Sequence, residues 1–133
     1  MNTEQIGKDA FDASFKVHTK LGPGLLESVY EAALAKELSN RGHTVERQKP
    51  IPVYYEGELL EEVGFRADLI INGQVLLELK SVADVTPLFK KITWNYLRIS
   101  KITLGFLINF NELHLKDGIL RIVNGAEGKP HFG

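Results

Sequence analysis

The chain has 133 residues, of which 44% are apolar and 25% are charged, and its formal net charge is −1 at pH 7. This composition is typical of globular proteins, and the near-neutral charge excludes a global electrostatic attraction to nucleic acid. The absence of cysteine excludes disulfides and thiolate metal sites.

The length predicts a single domain over residues 1–125, followed by a frayed tail over residues 126–133. The N-terminus lacks the basic start and apolar stretch of a signal peptide, and the apolar runs are too short to cross a membrane. We therefore expect a cytoplasmic protein with no membrane partner.

The first part of the chain predicts two helices and then a strand. An imperfect apolar stripe predicts a helix over residues 3–20, and a segment rich in Ala, Leu, Glu and Lys predicts a second over residues 25–40. Residues 44–56 turn to a β pattern, in which Pro50 and Pro52 indicate an edge or irregular strand.

The second part predicts the remaining strands and one more helix, which starts near Pro87. The order is ααβββαβ with a C-terminal hairpin, which predicts an α/β fold with a mixed sheet flanked by helices. The predicted elements are strands over 59–63, 65–71 and 75–81, a helix over 86–100, a strand over 102–109, and hairpin arms over 113–115 and 119–123.

Three charged residues lie in two very apolar predicted strands: Asp68 in the first, and Glu78 and Lys80 in the second. Burying an ionised group is costly unless it is paired or binds a metal. We therefore expect the three side chains to share one site. A structural cluster of salt bridges is the alternative interpretation.

Alternation along the second strand divides its side chains between two faces. Glu78 and Lys80 share one face, and the other holds Val75, Leu77 and Leu79. The leucine face is therefore predicted to be the core face.

The connection between these strands decides whether the acids share a face. An Asn-Gly pair at 72–73 is typical of a two-residue turn, which would place Asp68 opposite Leu77 and on the other face from Glu78. A three-residue connection over 71–73 with a left-handed glycine, or a single bulge, would restore a common face. A shared site thus requires a three-residue connection or a bulge, whereas the Asn-Gly pair favours a two-residue turn.

The second helix begins with Gly24, Glu27 and Tyr30 at successive spacings of three residues. Glu27 lies on an apolar stripe, where a carboxylate is unusual. A glutamate in the first turn also stabilises the helix dipole, so a purely structural role is the alternative.

The chain resembles the GxxExxY family of small bacterial proteins, which is assigned to the PD-(D/E)XK nuclease-like superfamily. The resemblance covers about residues 15–125. It is carried by the motif Gly24-x-x-Glu27-x-x-Tyr30 and by Gly64-Phe65-Arg66-Ala67-Asp68, Glu78-Leu79-Lys80, Tyr96-Leu97-Arg98 and Leu107-Ile108-Asn109-Phe110-Asn111.

The resemblance implies a restriction-endonuclease-like core and a catalytic set. Asp68 and Glu78 would be metal ligands, Lys80 would lie beside the attacking water, and Glu27 would be the additional helix carboxylate that several branches carry. Gly24 would support the site together with the tyrosine of the same motif. The chemistry agrees, because Mg²⁺ or Mn²⁺ needs only a few carboxylates besides water and phosphate oxygens. Without metal, at least one of the strand acids should have a raised pKa unless the lysine offsets the repulsion.

The third helix offers Lys90, Lys91, Tyr96 and Arg98 as nucleic-acid contacts, since lysines beside aromatic residues can bind phosphates and stack on bases. A solvated charged face over a buried tryptophan is the alternative. Some nucleases of the superfamily carry glutamine four residues before the tyrosine, where this chain has Ile92.

These observations predict a metal-dependent nuclease whose substrate is nucleic acid, with DNA favoured over RNA. An enzyme of this size that cuts both strands would dimerise, so a homodimer is a candidate assembly. The alternative is a non-catalytic module for binding nucleic acid or protein that retains the nuclease fold.

Overall fold

The computed structural model describes residues 1–125 and 127–133. Within those ranges the chain forms three α-helices, a short 3-10 helix and six strands. The elements are α1 (Thr3–Leu21), α2 (Glu27–Asn40), β1 (Val45–Tyr55), β2 (Glu58–Ile71), β3 (Val75–Lys80), α3 (Pro87–Ser100), β4 (Leu104–Asn109), the 3-10 turn Leu115–Asp117, β5 (Ile119–Asn124) and β6 (Pro130–Phe132).

The six strands form one sheet in the order β1-β2-β3-β4-β5-β6. The β3–β4 pair is parallel and is joined by the α3 crossover, and the other pairs are antiparallel. The α/β fold with a mixed sheet flanked by helices is therefore confirmed. No helix in the described part of the chain is long and apolar enough to span a membrane.

Helices cover both faces of the sheet, so the fold has two cores. On one face Leu77 and Leu79 pack with apolar residues of α1 and α2. On the other face Leu76 packs with Trp94 and Leu97 of α3. Leu76 is fully buried. The prediction of one core face was wrong, because a crossover helix covers the second face of the sheet.

The proline-containing strand β1 lies at the sheet edge and its register with β2 shifts around Val53, as predicted. The two strands predicted over 59–63 and 65–71 are one continuous strand, β2. Gly64 makes this possible, because a Cβ at this position would lie 1.9 Å from Cγ2 of Val53. Without that side chain, β2 runs past the irregular part of β1 without a break.

The C-terminal region differs from the prediction. Residues 113–115 do not form a hairpin arm; instead β5 pairs with β4, and the terminal hairpin is formed by β5 and β6. The tail is not frayed over Pro130–Phe132, because these residues pair with β5. Ala126, the first residue of the predicted tail, lies outside the described residues.

The β2–β3 connection has three residues, 72–74, since Ile71 pairs with Val75. Asn72 and Gly73 both have positive φ, of 52° and 67°. Asn72 is further held by Thr44, because the backbone N–H of each donates to an oxygen of the other at 2.8 Å. The connection therefore has the odd number of residues that is needed to place Asp68 and Glu78 on one face of the sheet. It lies one residue further along the chain than predicted.

Candidate active site

Asp68 and Glu78 meet where β2 and β3 stop pairing. The last paired residues are Leu69 and Leu77, one step before the acids. The backbone N–H of Asp68 then donates to Oε1 of Glu78 at 3.2 Å, and the N–H of Leu79 donates to Oδ2 of Asp68 at 2.8 Å. Carboxylates thus accept the hydrogen bonds that backbone carbonyls accept elsewhere in the ladder, so both acids are held on rigid strands.

Glu78 is buried, with 7% of its surface exposed. Its pKa is raised to about 8, first because burial disfavours the charged form and second because of the charge on Asp68; the charge of Lys80 lowers the pKa and offsets part of this rise. The expected raised pKa is therefore located on Glu78. Near neutral pH and without a cation, this carboxyl holds a proton.

Sequence reasoning missed two residues that extend this pair, Gln48 and Glu31. The side-chain Nε2 of Gln48 donates to Oδ1 of Asp68 at 3.0 Å and to Oε1 of Glu31 at 2.5 Å. Nε of Arg47 donates to the other oxygen of Glu31 at 3.1 Å. The result is a continuous chain of hydrogen bonds from an exposed arginine to the Asp68 carboxylate.

One of these two residues could have been found from the sequence. Glu31 follows Glu27 by four residues, a spacing that places both on one face of α2. Gln48 could not have been found in this way, because the orientation of its side chain depends on a left-handed backbone, with φ of 48°, in the middle of β1.

The glycine and tyrosine of the Gly-x-x-Glu-x-x-Tyr motif form the turn that starts α2. The hydroxyl of Tyr30 donates to the carbonyl of Gly22 at 2.6 Å and accepts from the N–H of Leu25 at 3.1 Å, while its ring stacks on Phe110. Gly24 has φ of 97°, a left-handed conformation that favours glycine. This turn places the glutamate of the motif at the first residue of α2.

Glu27 is exposed and lies at the junction of α2 with the end of β3. Its Oε2 accepts from the backbone N–H of Ser81 at 3.3 Å, and the Ser81 hydroxyl donates to the carbonyl of Leu25 at 2.7 Å. Glu27 and Asp68 line a common cavity of about 270 Å³ together with Glu31. The helix carboxylate thus lies at the same cavity as one of the strand acids.

Lys80 is half-buried at the end of β3. Its Nζ lies 4.5 Å from the centroid of the Phe89 ring on α3, a cation–π contact. Within the described residues, its ammonium makes no ion pair with Asp68 or Glu78 at 4.0 Å or less. Its charge nonetheless lowers the pKa of Glu78.

The basic residues predicted on the third helix are exposed. Nζ of Lys91 lies 4.2 Å and Cζ of Arg98 lies 4.6 Å from the centroid of the Trp94 ring, which belongs to the second core. Lys90 is exposed one residue earlier in the chain. Lys91 and Arg98 thus form a basic surface over a buried tryptophan.

Tyr96 is separate from that surface. Its ring stacks on Phe65 of β2, with the centroids 3.8 Å apart and the planes 6° from parallel. Its pKa is raised, first by burial and then by the charges of Glu78 and Asp68. Tyr96 therefore lies beside the acid pair.

A family model for the PD-(D/E)XK nuclease superfamily matches residues 4–122, nearly the whole chain. The chain belongs to the PD-(D/E)XK nuclease superfamily. Comparison with the curated proteins and with the solved structures gave no significant match. Membership implies a nuclease-type phosphodiester hydrolase with a nucleic-acid substrate, and the mixed sheet with its flanking helices is consistent with the restriction-endonuclease-like fold.

PD-(D/E)XK nucleases generally use divalent metals such as Mg²⁺. Among the described residues, no three or more His, Cys, Asp or Glu side chains are already arranged as a metal centre. The donors at the acid pair nevertheless fit a hard cation, because they are carboxylate oxygens and Mg²⁺ takes few protein ligands besides water. Hydrogen bonds from Gln48 and from the Leu79 backbone hold the Asp68 carboxylate in place.

Proposed function

We propose that the protein is a metal-dependent nuclease that acts on DNA. The observation that carries the proposal is the Asp68–Glu78 pair, held by backbone N–H groups where two strands separate. A buried carboxyl with a raised pKa beside a second carboxylate is costly to maintain for stability alone, and such pairs concentrate at functional sites.

Each charged residue has a proposed role. Asp68, Glu78 and Glu27 would hold Mg²⁺ or Mn²⁺, and the bound cation would polarise a water and a phosphate oxygen. Lys80 would orient the attacking water and neutralise negative charge on the phosphate. For this role its ammonium would have to leave the Phe89 ring, which it contacts in the structure. The exposed Lys90, Lys91 and Arg98 would contact the phosphate backbone, as would the half-buried Tyr96 where it borders the acid pair.

The test is an assay of the purified protein on single-stranded, double-stranded and branched DNA and on RNA, with Mg²⁺ or Mn²⁺. We expect cleavage of DNA that requires the cation and stops with EDTA. RNA cleavage alone would contradict the proposed substrate. Inactivity on every substrate, with the fold intact and the metal bound, would contradict the proposed chemistry.

The position of Lys80 favours a second candidate, a nucleic-acid-binding or protein-binding module that keeps the nuclease fold without cleaving. Its ammonium contacts an aromatic ring and not the acid pair. Binding of labelled DNA without cleavage in the same assay would support this candidate.

The hydrogen bond from Gln48 to Asp68 predicts a measurable effect on metal binding. Gln48→Met keeps the length of the side chain and removes both donors, so the Asp68 carboxylate would lose a positioning partner. Groups that orient a metal ligand typically change metal affinity by about 10–100-fold. We expect a rise of that order in the Mg²⁺ concentration that gives half of the metal-induced increase in Tm.

Lys49→Met is the matched control, since it makes a similar change one residue along β1, where Lys49 pairs with Glu46. It should leave the half-saturating Mg²⁺ concentration unchanged. Equal values for Gln48→Met and the wild type would show that Gln48 does not position Asp68.

A further inference from the structure

The β1–β2 hairpin extends beyond the body of the protein as an arm formed by residues 54–63. Every residue of the arm is exposed, although its strands are paired with each other. Five of its residues are large and apolar, with exposed fractions between 44% and 64%. They are Tyr54, Tyr55, Leu59, Leu60 and Val63. Clustered exposed apolar side chains of this kind mark protein interaction surfaces.

The remaining side chains of the arm are strongly acidic. Four of them are glutamates, and residues 50–65 contain no lysine or arginine. None of the four glutamates forms a salt bridge within the described part of the chain. They are Glu56, Glu58, Glu61 and Glu62. The arm would repel a phosphate backbone, so it is not part of a nucleic-acid interface.

Pairing of two arms with each other is also disfavoured. It would bring the glutamates of both copies together, and like charges across an interface cost several kcal/mol. Pro50 and Pro52 interrupt the hydrogen-bonding edge of β1 next to the arm, which opposes extension of the sheet by another strand. The surface that covers the arm must therefore be apolar and basic.

The chain itself carries such a surface on the outer side of α1 and α2. A groove of about 360 Å³ has an apolar floor that includes Val17, Leu21 and Ala33, and three lysines border it. The one acid of its lining, Glu37, is paired with Lys16 and Arg41. Among the described residues, Lys20 and Lys36 have no acidic partner within 4.0 Å.

The apolar floor continues along the exposed side of α2. Leu26 and Val29 precede Ala33 at helical spacing, and they are 73% and 40% exposed. The groove and this stripe together form an apolar, basic surface. This surface is complementary to the apolar, acidic arm.

We propose that the arm of one copy docks in the lysine-bordered groove of a second copy, and that the second arm docks reciprocally in the first groove. A reciprocal arrangement closes a twofold dimer, the commonest symmetry of soluble oligomers. Its two equivalent contacts each combine apolar burial with opposite charges. The proposal does not depend on nuclease activity, because it rests on the arm and the groove alone.

The test exchanges charges between the two surfaces and measures mass by sedimentation velocity. The arm variant carries Glu58→Lys and Glu61→Lys, and the groove variant carries Lys20→Glu and Lys36→Glu. We expect the wild type to sediment at twice the 14.9 kDa mass of the chain and each variant to sediment as a monomer. An equimolar mixture of the two variants should recover the dimer, because each contact then again pairs an acidic surface with a basic one.

The control is the double variant Asp84→Lys and Asp117→Lys, which makes the same change in net charge as the arm variant, at exposed acids outside the arm and the groove. It should remain dimeric, and circular dichroism should show all variants folded. Three results would each overturn the proposal: a monomeric wild type at concentrations up to about 10⁻⁴ M, at which even a weak complex would assemble, dimers that survive both reversals, or a mixture that stays monomeric. A monomeric wild type would assign the arm to a different, basic protein.

Discussion

Replacing Asp68 with alanine is expected to abolish DNA cleavage and the metal-induced rise in Tm together. Asp68 accepts hydrogen bonds from Gln48 and from the Leu79 backbone, contacts Glu78, and lines a cavity with Glu27, so its loss would remove the ligand that joins the buried strand acid to the helix carboxylate. We expect the cleavage rate to fall by about 10³-fold or more, in keeping with the several kcal/mol that a catalytic cation supplies. Ten millimolar Mg²⁺ should then no longer shift Tm, since only ligands bound to the native state stabilise it.

Lys80→Ala separates metal binding from chemistry. The lysine is assigned to the water and the phosphate, so this variant should lose most of the cleavage rate and keep the metal-induced rise in Tm. Glu78→Ala should lose both. Asp84→Ala, at an exposed aspartate outside the acid pair, is the control and should change neither. Wild-type activity in Lys80→Ala would point to a contaminating nuclease or to a wrong assignment of the lysine.

Replacing Glu78 with glutamine is expected to stabilise the metal-free protein at pH 8, relative to the wild type. The folded pKa of Glu78, about 8, lies above its unfolded value near 4.5. The protonated carboxyl therefore contributes stability that is fully present below about pH 4.5 and is lost as the pH rises toward 8. With about 1.4 kcal/mol for each pKa unit, the loss between pH 5.5 and pH 8 is on the order of 2–4 kcal/mol of unfolding free energy.

Denaturant unfolding in EDTA at pH 5.5 and at pH 8 measures this loss. The wild type should become less stable at pH 8, and Glu78→Gln should show a much smaller change because it carries no ionisable group at this position. Glu62→Gln, at an exposed glutamate of the arm, should follow the wild type. A parallel response of the wild type and Glu78→Gln would contradict the burial of an ionisable carboxyl.

The order of helices and strands from α1 to β4 could be predicted from the sequence, because composition, apolar pattern and helix-ending or turn residues agree along this part of the chain. The helix predicted over 86–100 differs from α3 (Pro87–Ser100) by one residue, since Pro87 is compatible with the first turn and Thr86 caps it. The edge position of β1 followed from Pro50 and Pro52. Composition and local pattern were sufficient in these places because local chemistry decided the structure.

The remaining features depend on contacts between segments distant in sequence. The burial of Leu76 depends on α3, which follows β3 in the chain and returns over its second face. The continuity of β2 depends on the absence of a side chain at Gly64, where Val53 approaches. The bridge from Gln48 to Asp68 depends on a left-handed backbone that no local sequence signal predicts. Tertiary contact decided each of these features.

The pairing of Ile71 with Val75 constrains where related sequences can differ in length. Side chains alternate between the two faces of a strand, so deleting one residue between Asp68 and Ile71, or between Val75 and Glu78, would move one of the two acids to the opposite face of the sheet. A change of length within residues 72–74 would leave the acids facing each other as long as Ile71 and Val75 stay paired. Among relatives that keep both acids, insertions and deletions should therefore fall within the connection, and an odd change in either strand should be accompanied by a bulge.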